Sequence, residues 1–358
     1  MKEIHVLHIS ETFVTGVYTY IQSICAFTAQ DDRIKTSIIY SPNREGTDEL
    51  DFEKDFSENV ELIPIRMQRE ISLKKDFKSL KQLQNAVKQI QPDVIHLHSS
   101  KAGVLGRLAA KAYPKAKVYY TPNGYAFLRE DLSKTKRKFF KLIEKYISKI
   151  YGGTTIACGD TEYEYAKRLG KSKMVRNGID LSELDHIKVK PSLKLNSIVT
   201  LGRISAQKNP KLFNAIAEIF PAINFVWIGD GELKHELTAK NIEITGWLDR
   251  EKALNLLAKH DVYIQTSLWE GLPFTIIEAM ALQKPILATD VIGNKDAVVD
   301  QKNGFLCDSI GDFENAINQL KTKPQFLRNF GKQSKILAKN KFDRNKNFEQ
   351  LVEVYLTY

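Results

Sequence analysis

The chain has 358 residues, 43% hydrophobic and 27% charged, and a formal net charge of +10. That length exceeds one ordinary core and suits two globular domains. No stretch approaches the roughly 20 apolar residues that span a bilayer, no signal-peptide pattern opens the chain, and Cys25, Cys158 and Cys307 form no CxxC pair. This argues against a disulfide framework or a structural zinc site and fits a cytoplasmic protein.

Short apolar runs rich in β-branched residues alternate with longer helical patterns. In the first half the pattern predicts strands at Ile4–Ile9, Thr36–Tyr40, Val94–His98, Val118–Thr121 and Thr154–Cys158. Helices are predicted at Val17–Thr28, Phe77–Ile90 and Lys136–Ile150. The second half repeats the rhythm, with strands at Ile198–Gly202, Asn224–Gly229, Ile242–Thr245, Val262–Gln265 and Pro285–Thr289. Its helices are predicted at Pro210–Ile219, Glu232–Ala239, Glu251–Lys259, Thr275–Leu282 and Phe313–Lys321. Strand–helix alternation implies parallel sheets covered on both faces, so the fold class is α/β with two Rossmann-like domains. The polar, proline-bearing stretch Asp180–Leu195 reads as the linker, which gives domains at 1–180 and 181–343.

The positive charge is uneven. Between Lys101 and Lys149 stand 13 basic and 3 acidic residues. Such a face suits an anionic membrane surface, a lipid diphosphate or a nucleic acid, or is simply a solvated surface. Within it, Ser133–Ile150 is a basic amphipathic pattern with Phe139, Phe140, Ile143, Ile147 and Ile150 on one side. It suits either an anionic bilayer or burial on the sheet.

Ligands of open α/β sheets bind beyond the carboxyl ends of the strands. After one strand comes Gly202-Arg203-Ile204-Ser205-Ala206-Gln207-Lys208, where Arg203 and Lys208 place two cations that would stabilise a diphosphate leaving group. After another comes Glu270-Gly271-Leu272-Pro273-Phe274-Thr275, with Glu278 farther into the helix. Pro273 suits a first helical turn, and the amides near Gly271 to Thr275 suit phosphate. Glu278 suits either hydrogen bonds from a ribose or a favourable charge near a helix N-terminus, and Glu270 either a sugar hydroxyl or a solvated loop position. In the first half, Thr121-Pro122-Asn123-Gly124 makes a rigid bend, and Thr15-Gly16-Val17 enters the first helix. His96 and His98 face one side of a strand with no third ligand evident, so core or cleft-edge packing is expected rather than a metal site. The chain has no Asp-x-Asp, P-loop, G-x-G-x-x-G after the first strand, or G-x-S-x-G. Those absences weigh against a metal-dependent transferase of the Asp-x-Asp kind, a nucleotide triphosphatase, an NAD enzyme and a hydrolase.

Together these loops resemble glycosyltransferase family 4, retaining enzymes of GT-B fold. The strongest part is Glu270-Gly271-Leu272-Pro273…Glu278, similar to the family's Glu-x7-Glu signature. It is joined by Gly202-Arg203 with Lys208, by Ile228-Gly229-Asp230-Gly231-Glu232 and by Val175-Arg176-Asn177-Gly178-Ile179-Asp180. The runs His96–Gly103 and Ala288–Asp296 resemble the subset that builds bacterial capsule, exopolysaccharide and O-antigen. The resemblance implies two parallel sheets facing across a cleft. It also implies that Arg203 and Lys208 hold a donor diphosphate, Glu278 the ribose and Glu270 the sugar. Gly16, Gly271, Leu272, Pro273 and the amides of Phe274 and Thr275 would complete the donor site, with Trp247 and Leu248 framing the base. The donor would be a UDP- or GDP-sugar, used without metal or other cofactor. The N-terminal domain would bind a lipid-linked or saccharide acceptor, and a last helix, 344–358, would cross back to it. No nucleic-acid partner is implied, and the place would be the cytoplasm or the inner face of the membrane.

Two departures stand out. Thr15 replaces the first of two glycines common in the family, and Asn123 stands where histidine is frequent. Asn cannot take a proton at neutral pH. The resemblance implies a one-face mechanism, in which the donor phosphate itself takes the acceptor proton, and that mechanism tolerates Asn123. Two other readings are a nucleotide-sugar 2-epimerase of GT-B fold and a non-catalytic nucleotide-sugar-binding subunit.

Overall fold

A computed structural model describes residues 3–42, 52–68, 70–128, 132–189, 193–271 and 273–357. The chain forms two compact units, one of residues 1–176 with 345–358, the other of residues 177–344. The C-terminal helix therefore belongs to the first unit.

The first unit runs β1 (Ile4–Ser10), α1 (Thr15–Thr28), β2 (Ile34–Tyr40), α2 (Phe52–Asp55), β3 (Glu61–Pro64), α3 (Leu73–Ile90), β4 (Val94–His98) and α4 (Ser100–Ala110). It continues with β5 (Lys117–Thr121), α5 (Lys134–Tyr151), β6 (Thr154–Ala157), α6 (Asp160–Leu169) and β7 (Ser172–Met174). Its strands pair in parallel in the order β3-β2-β1-β4-β5-β6-β7. The second unit runs β8 (Ser197–Leu201), α7 (Pro210–Ile219), β9 (Asn224–Ile228), β10 (Ile242–Ile244), α8 (Arg250–Lys259), β11 (Val262–Gln265) and α9 (Phe274–Ala281). Then come β12 (Ile286–Thr289), α10 (Asn294–Ala297), β13 (Gly304–Cys307), α11 (Ile310–Thr322) and α12 (Gln325–Lys341), and the chain ends in α13 (Arg344–Leu356), the helix that belongs to the first unit. Its parallel sheet has the order β10-β9-β8-β11-β12-β13. Both sheets reverse their strand order at the centre, between β1 and β4 and between β8 and β11, where this class of sheet opens a crevice for ligands.

The physical reasons for these elements are local. Central strands are apolar on both faces because helices cover both: Val6, Leu7, Val199, Tyr263 and Ile264 are fully buried. Helix α4 lies in a stretch that reads as no helix, since it is apolar on most sides and carries two glycines. The glycines are there for contact: a Cβ on Gly103 would stand 2.5 Å from the Tyr120 ring, and one on Gly106 2.2 Å from Leu97. The helix predicted over Glu232–Ala239 is only one 3-10 turn at Lys234–Glu236. The amides of Thr238 and Ala239 go instead to Asn214 Oδ1, at 2.6 and 2.8 Å, and the turn stops there. Strands β3, β7 and β13 have three or four residues, too few to show a periodicity.

Candidate active site

The reversal between β8 and β11 brings together the loops that follow them. They are tied by backbone and side chain: Leu268 N–H donates to Gln207 O at 2.8 Å, and Thr266 Oγ1 to Lys208 O at 2.7 Å. Residues about 60 positions apart thus form one surface.

Glu270 is the centre of that surface. It is buried, and Lys208 Nζ lies 2.8 Å from its Oε1. The same oxygen accepts from Gln265 Nε2 at 2.9 Å and from Ser267 Oγ at 2.7 Å. Gln207 Nε2 donates to Oε2 at 3.1 Å and to Trp269 O at 3.0 Å. Four donors converge on one carboxylate. Gln207, Gln265 and Ser267 were not legible as site residues, because neutral amides and hydroxyls are ordinary loop residues until a fold aims them.

Glu278 lies inside α9 and is also buried. Burial pushes its carboxyl above the usual range, and the Arg250 guanidinium pulls against that. Arg250 Nε and Nη2 both donate to Glu278 Oε1, at 3.2 and 3.0 Å, while Nη1 reaches Glu183 Oε2 at 2.8 Å. Arg250 is a fourth residue that its sequence position, at the start of a helix, does not reveal.

Arg203 and Lys208 do not act as an equivalent pair. Arg203 is half exposed, and its Nε donates to Glu232 Oε2 at 3.1 Å. Glu232 is brought there by two glycines. A Cβ on Gly229 would meet Gly202 O at 2.3 Å, and one on Gly231 would meet Ile204 O at 2.2 Å. Gly229 also has φ +138, which a side chain resists. Trp247 and Leu248 are exposed beyond Gly246.

Helix α9 begins at Phe274, so Pro273 precedes the first helical residue rather than occupying it. No side chain caps that end. The amides of Phe274 and Thr275 are first-turn donors without an intrahelical partner, suited to an anion. Leu272 lies outside the described residues. Gly271 packs under the loop after β12: a Cβ on Gly293 would stand 2.2 Å from Gly271 O and 2.9 Å from Glu270 Cβ.

In the first unit, Gly16 is exposed with open space around it. Asn123 has φ +52, and its Nδ2 is buried with no hydrogen-bond partner among the described residues. Glu162 steadies that bend, accepting from Gly124 N at 3.2 Å and Cys158 N at 2.9 Å. The expectation of no third ligand near His96 and His98 is corrected. His8, on β1 opposite His96, joins them, and all three are fully buried. His8 Nδ1 meets His98 Nε2 at 2.9 Å, and His96 bonds Tyr355 Oη at 2.5 Å and Thr121 Oγ1 at 2.8 Å. Among the described residues, His8 Nε2 and His98 Nδ1 lack partners, while one bond joins two of the rings and both nitrogens of His96 are taken by Tyr355 and Thr121.

Helix α5 also differs from its pattern. Phe140, Ile143 and Ile147 face inward, but Phe139 and Ile150 are exposed and join Leu142 and Tyr146 in an outer stripe. The rotation is set by Glu144, which is buried and accepts from Tyr120 Oη at 2.8 Å. Among the described residues no helix is long and apolar enough to cross a membrane.

Comparison with known proteins gives the chemistry a family. The family model described as glycosyl transferases group 1 matches residues 182–337, and that described as glycosyl transferase 4-like matches residues 13–158. The chain is 32% identical over 324 residues to the UDP-Gal:alpha-D-GlcNAc-diphosphoundecaprenol alpha-1,3-galactosyltransferase of Escherichia coli, covering 80% of this chain and 81% of that one. It is 24% identical over 328 residues to the capsular polysaccharide biosynthesis glycosyltransferase CapM of Staphylococcus aureus, covering 82% and 84%. Among solved structures, Anabaena HepE in complex with UDP and glucose superposes with a TM-score of 0.78 at 18% identity, over 99% of this chain and all of that one. Two parallel Rossmann-like sheets, the loops at their reversal and these relatives agree: the chain belongs to the group 1, family 4-like glycosyltransferases of GT-B fold, and is an enzyme of that kind.

Proposed function

We propose that the chain is a retaining glycosyltransferase that moves a hexosyl or N-acetylhexosaminyl group from a UDP-sugar to a lipid-linked or saccharide acceptor in bacterial surface-polysaccharide synthesis. The observation that carries the reading is the Escherichia coli relative, whose named reaction uses UDP-galactose and a diphosphoundecaprenol-linked sugar. The second unit binds the donor. Arg203, Lys208 and the α9 amides of Phe274 and Thr275 hold the diphosphate and take up its charge as the glycosidic bond breaks. Glu278 holds the ribose, Trp247 and Leu248 frame the base, and Glu270 holds the sugar. No metal takes part, since the cations and amides already supply the positive charge. Glu270 acts as a hydroxyl acceptor rather than a covalent nucleophile, its Oε1 being engaged by Lys208, Gln265 and Ser267. Retention then follows one-face attack, with the donor phosphate taking the acceptor proton and Asn123 supplying a hydrogen bond. The first unit binds the acceptor, and α5, with its lysines beside the outer apolar stripe, rests on an anionic membrane.

The test is transfer of labelled sugar from a panel of UDP- and GDP-sugars to a membrane extract, with chelator present. Transfer from a UDP-sugar is expected, and Glu270→Ala or Arg203→Ala should lower it by about a hundredfold or more. Full activity in both variants would refute the site, and transfer only from GDP-sugars would refute the donor.

A further inference from the structure

Glu270 is held by a group that no ligand would touch. Tyr263 and Gln265 lie on β11, fully buried, two residues apart and on the same face. Tyr263 Oη lies 2.7 Å from Gln265 Oε1. Gln265 Nε2 lies 3.0 Å from Ser267 Oγ and 2.9 Å from Glu270 Oε1. Ser267 Oγ lies 2.7 Å from the same Glu270 oxygen.

These distances fix every proton on the path. Turning the Gln265 amide over would set its oxygen 2.9 Å from a carboxylate oxygen, two acceptors face to face. The NH2 must therefore face Glu270, and the amide oxygen must accept from Tyr263. Ser267 accepts from Gln265, so its own hydrogen goes to Glu270. With Lys208 added, Oε1 receives three donors and has no lone pair left for a ligand. Oε2 receives only Gln207 among the described residues, so it is the oxygen with capacity to accept a hydroxyl.

We propose that Tyr263 and Gln265 are positioning residues that lock the Glu270 carboxylate in one orientation and present Oε2 alone to the donor sugar. The locked carboxylate distinguishes a nucleotide-sugar from the bare nucleotide. This rests on the reading that Glu270 meets the sugar. Gln265 acts through Glu270 and Ser267, Tyr263 through Gln265, and neither contacts substrate.

The experiment compares calorimetric affinities for UDP and for the UDP-sugar that the transfer assay selects, in the full chain. Glu270→Gln should abolish the preference for the sugar nucleotide. Gln265→Met, of similar volume, should reduce that preference by about five- to twentyfold and leave UDP affinity unchanged. Tyr263→Phe removes one oxygen and should act in the same direction, more weakly. Gln265→Glu adds a readout that a purely structural role would not move. Protonated, the new carboxyl donates as the amide did; ionised, it repels Glu270. The preference should therefore survive at low pH and fade as pH rises. If Glu270→Gln destroys the preference while Gln265→Met, Tyr263→Phe and Gln265→Glu keep it at every pH, the relay is refuted and the site stands. If Glu270→Gln keeps the preference, the sugar role of Glu270 falls, and the relay with it.

Discussion

The three buried histidines make the first unit sensitive to acid. Desolvation lowers the His8 pKa from 6.5 to about 3 and holds His96 and His98 well below 6.5, helped by their mutual repulsion when charged. In the unfolded chain each takes a proton near pH 6.5, and in the folded chain it does not. Stability is therefore full above pH 6.5 and falls with pH until the folded pKa is reached. His8 alone removes about 2 kcal/mol between pH 7 and pH 5, and about 5 kcal/mol once pH is below 3. That is a large share of a domain's usual stability, and His96 and His98 act in the same direction. The three tryptophans, Trp227, Trp247 and Trp269, all lie in the second unit, so their fluorescence does not report the loss. Hydrogen exchange of the β1 and β4 amides does. After correction for the intrinsic rate, protection in these strands should fall between pH 7 and pH 5.5 and should fall less in His8→Gln. Equal protection at the two pH values in the unsubstituted protein would refute the argument, because neutral buried rings must then be chargeable without opening the core.

Three further outcomes follow from contacts in the second unit and on α5. Gly293→Ala sets a Cβ against Gly271 O at φ +89, with a backbone penalty of about 1–3 kcal/mol. UDP-sugar affinity should fall because the Glu270–Gly271 backbone shifts, and unchanged calorimetric affinity would refute the contact. Arg250→Ala leaves the Glu278 carboxylate buried without its ion pair and should destabilise by about 1–2 kcal/mol, discounted for the exposure of Arg250. Its carboxyl then titrates higher still, so UDP affinity should be weak at low pH and recover as pH rises. A flat profile would show that Arg250 does not support Glu278. On α5, Phe139→Ser with Tyr146→Ser should reduce co-sedimentation with anionic liposomes, and salt should weaken it in the unsubstituted protein. Sedimentation unaffected by either would refute the membrane face.

The alternation of β-branched runs with helical patterns was enough for two parallel sheets, because strands buried on both faces announce themselves by composition. The linear signature of Glu270 and Glu278, with Arg203 and Lys208 upstream, was enough to single out the loops that gather at the reversal between β8 and β11. Short strands such as Ser172–Met174 carried no period to read, and α4 concealed its helix behind glycines chosen for contact with Tyr120 and Leu97. The partners of the acidic residues were invisible for another reason. Gln207 and Lys208 meet Glu270 only because β8 and β11 are adjacent at the reversal of strand order, and Arg250 meets Glu278 from 28 residues away. His8 reaches His96 and His98 only through the β1–β4 pairing, so the spacing of His96 and His98 alone suggested a pair rather than three.

By itself, then, the sequence determined where most of the longer strands and helices fall, which loops carry charge and which family the chain resembles. Those properties are local, set by periodicity, propensity and short motifs. The tertiary structure alone decided which oxygen of Glu270 is committed, which cation serves which acid and which face of α5 is left outside. Hydrogen bonds and burial depend on distances between residues far apart in the chain, and only the packing of the sheets sets those distances.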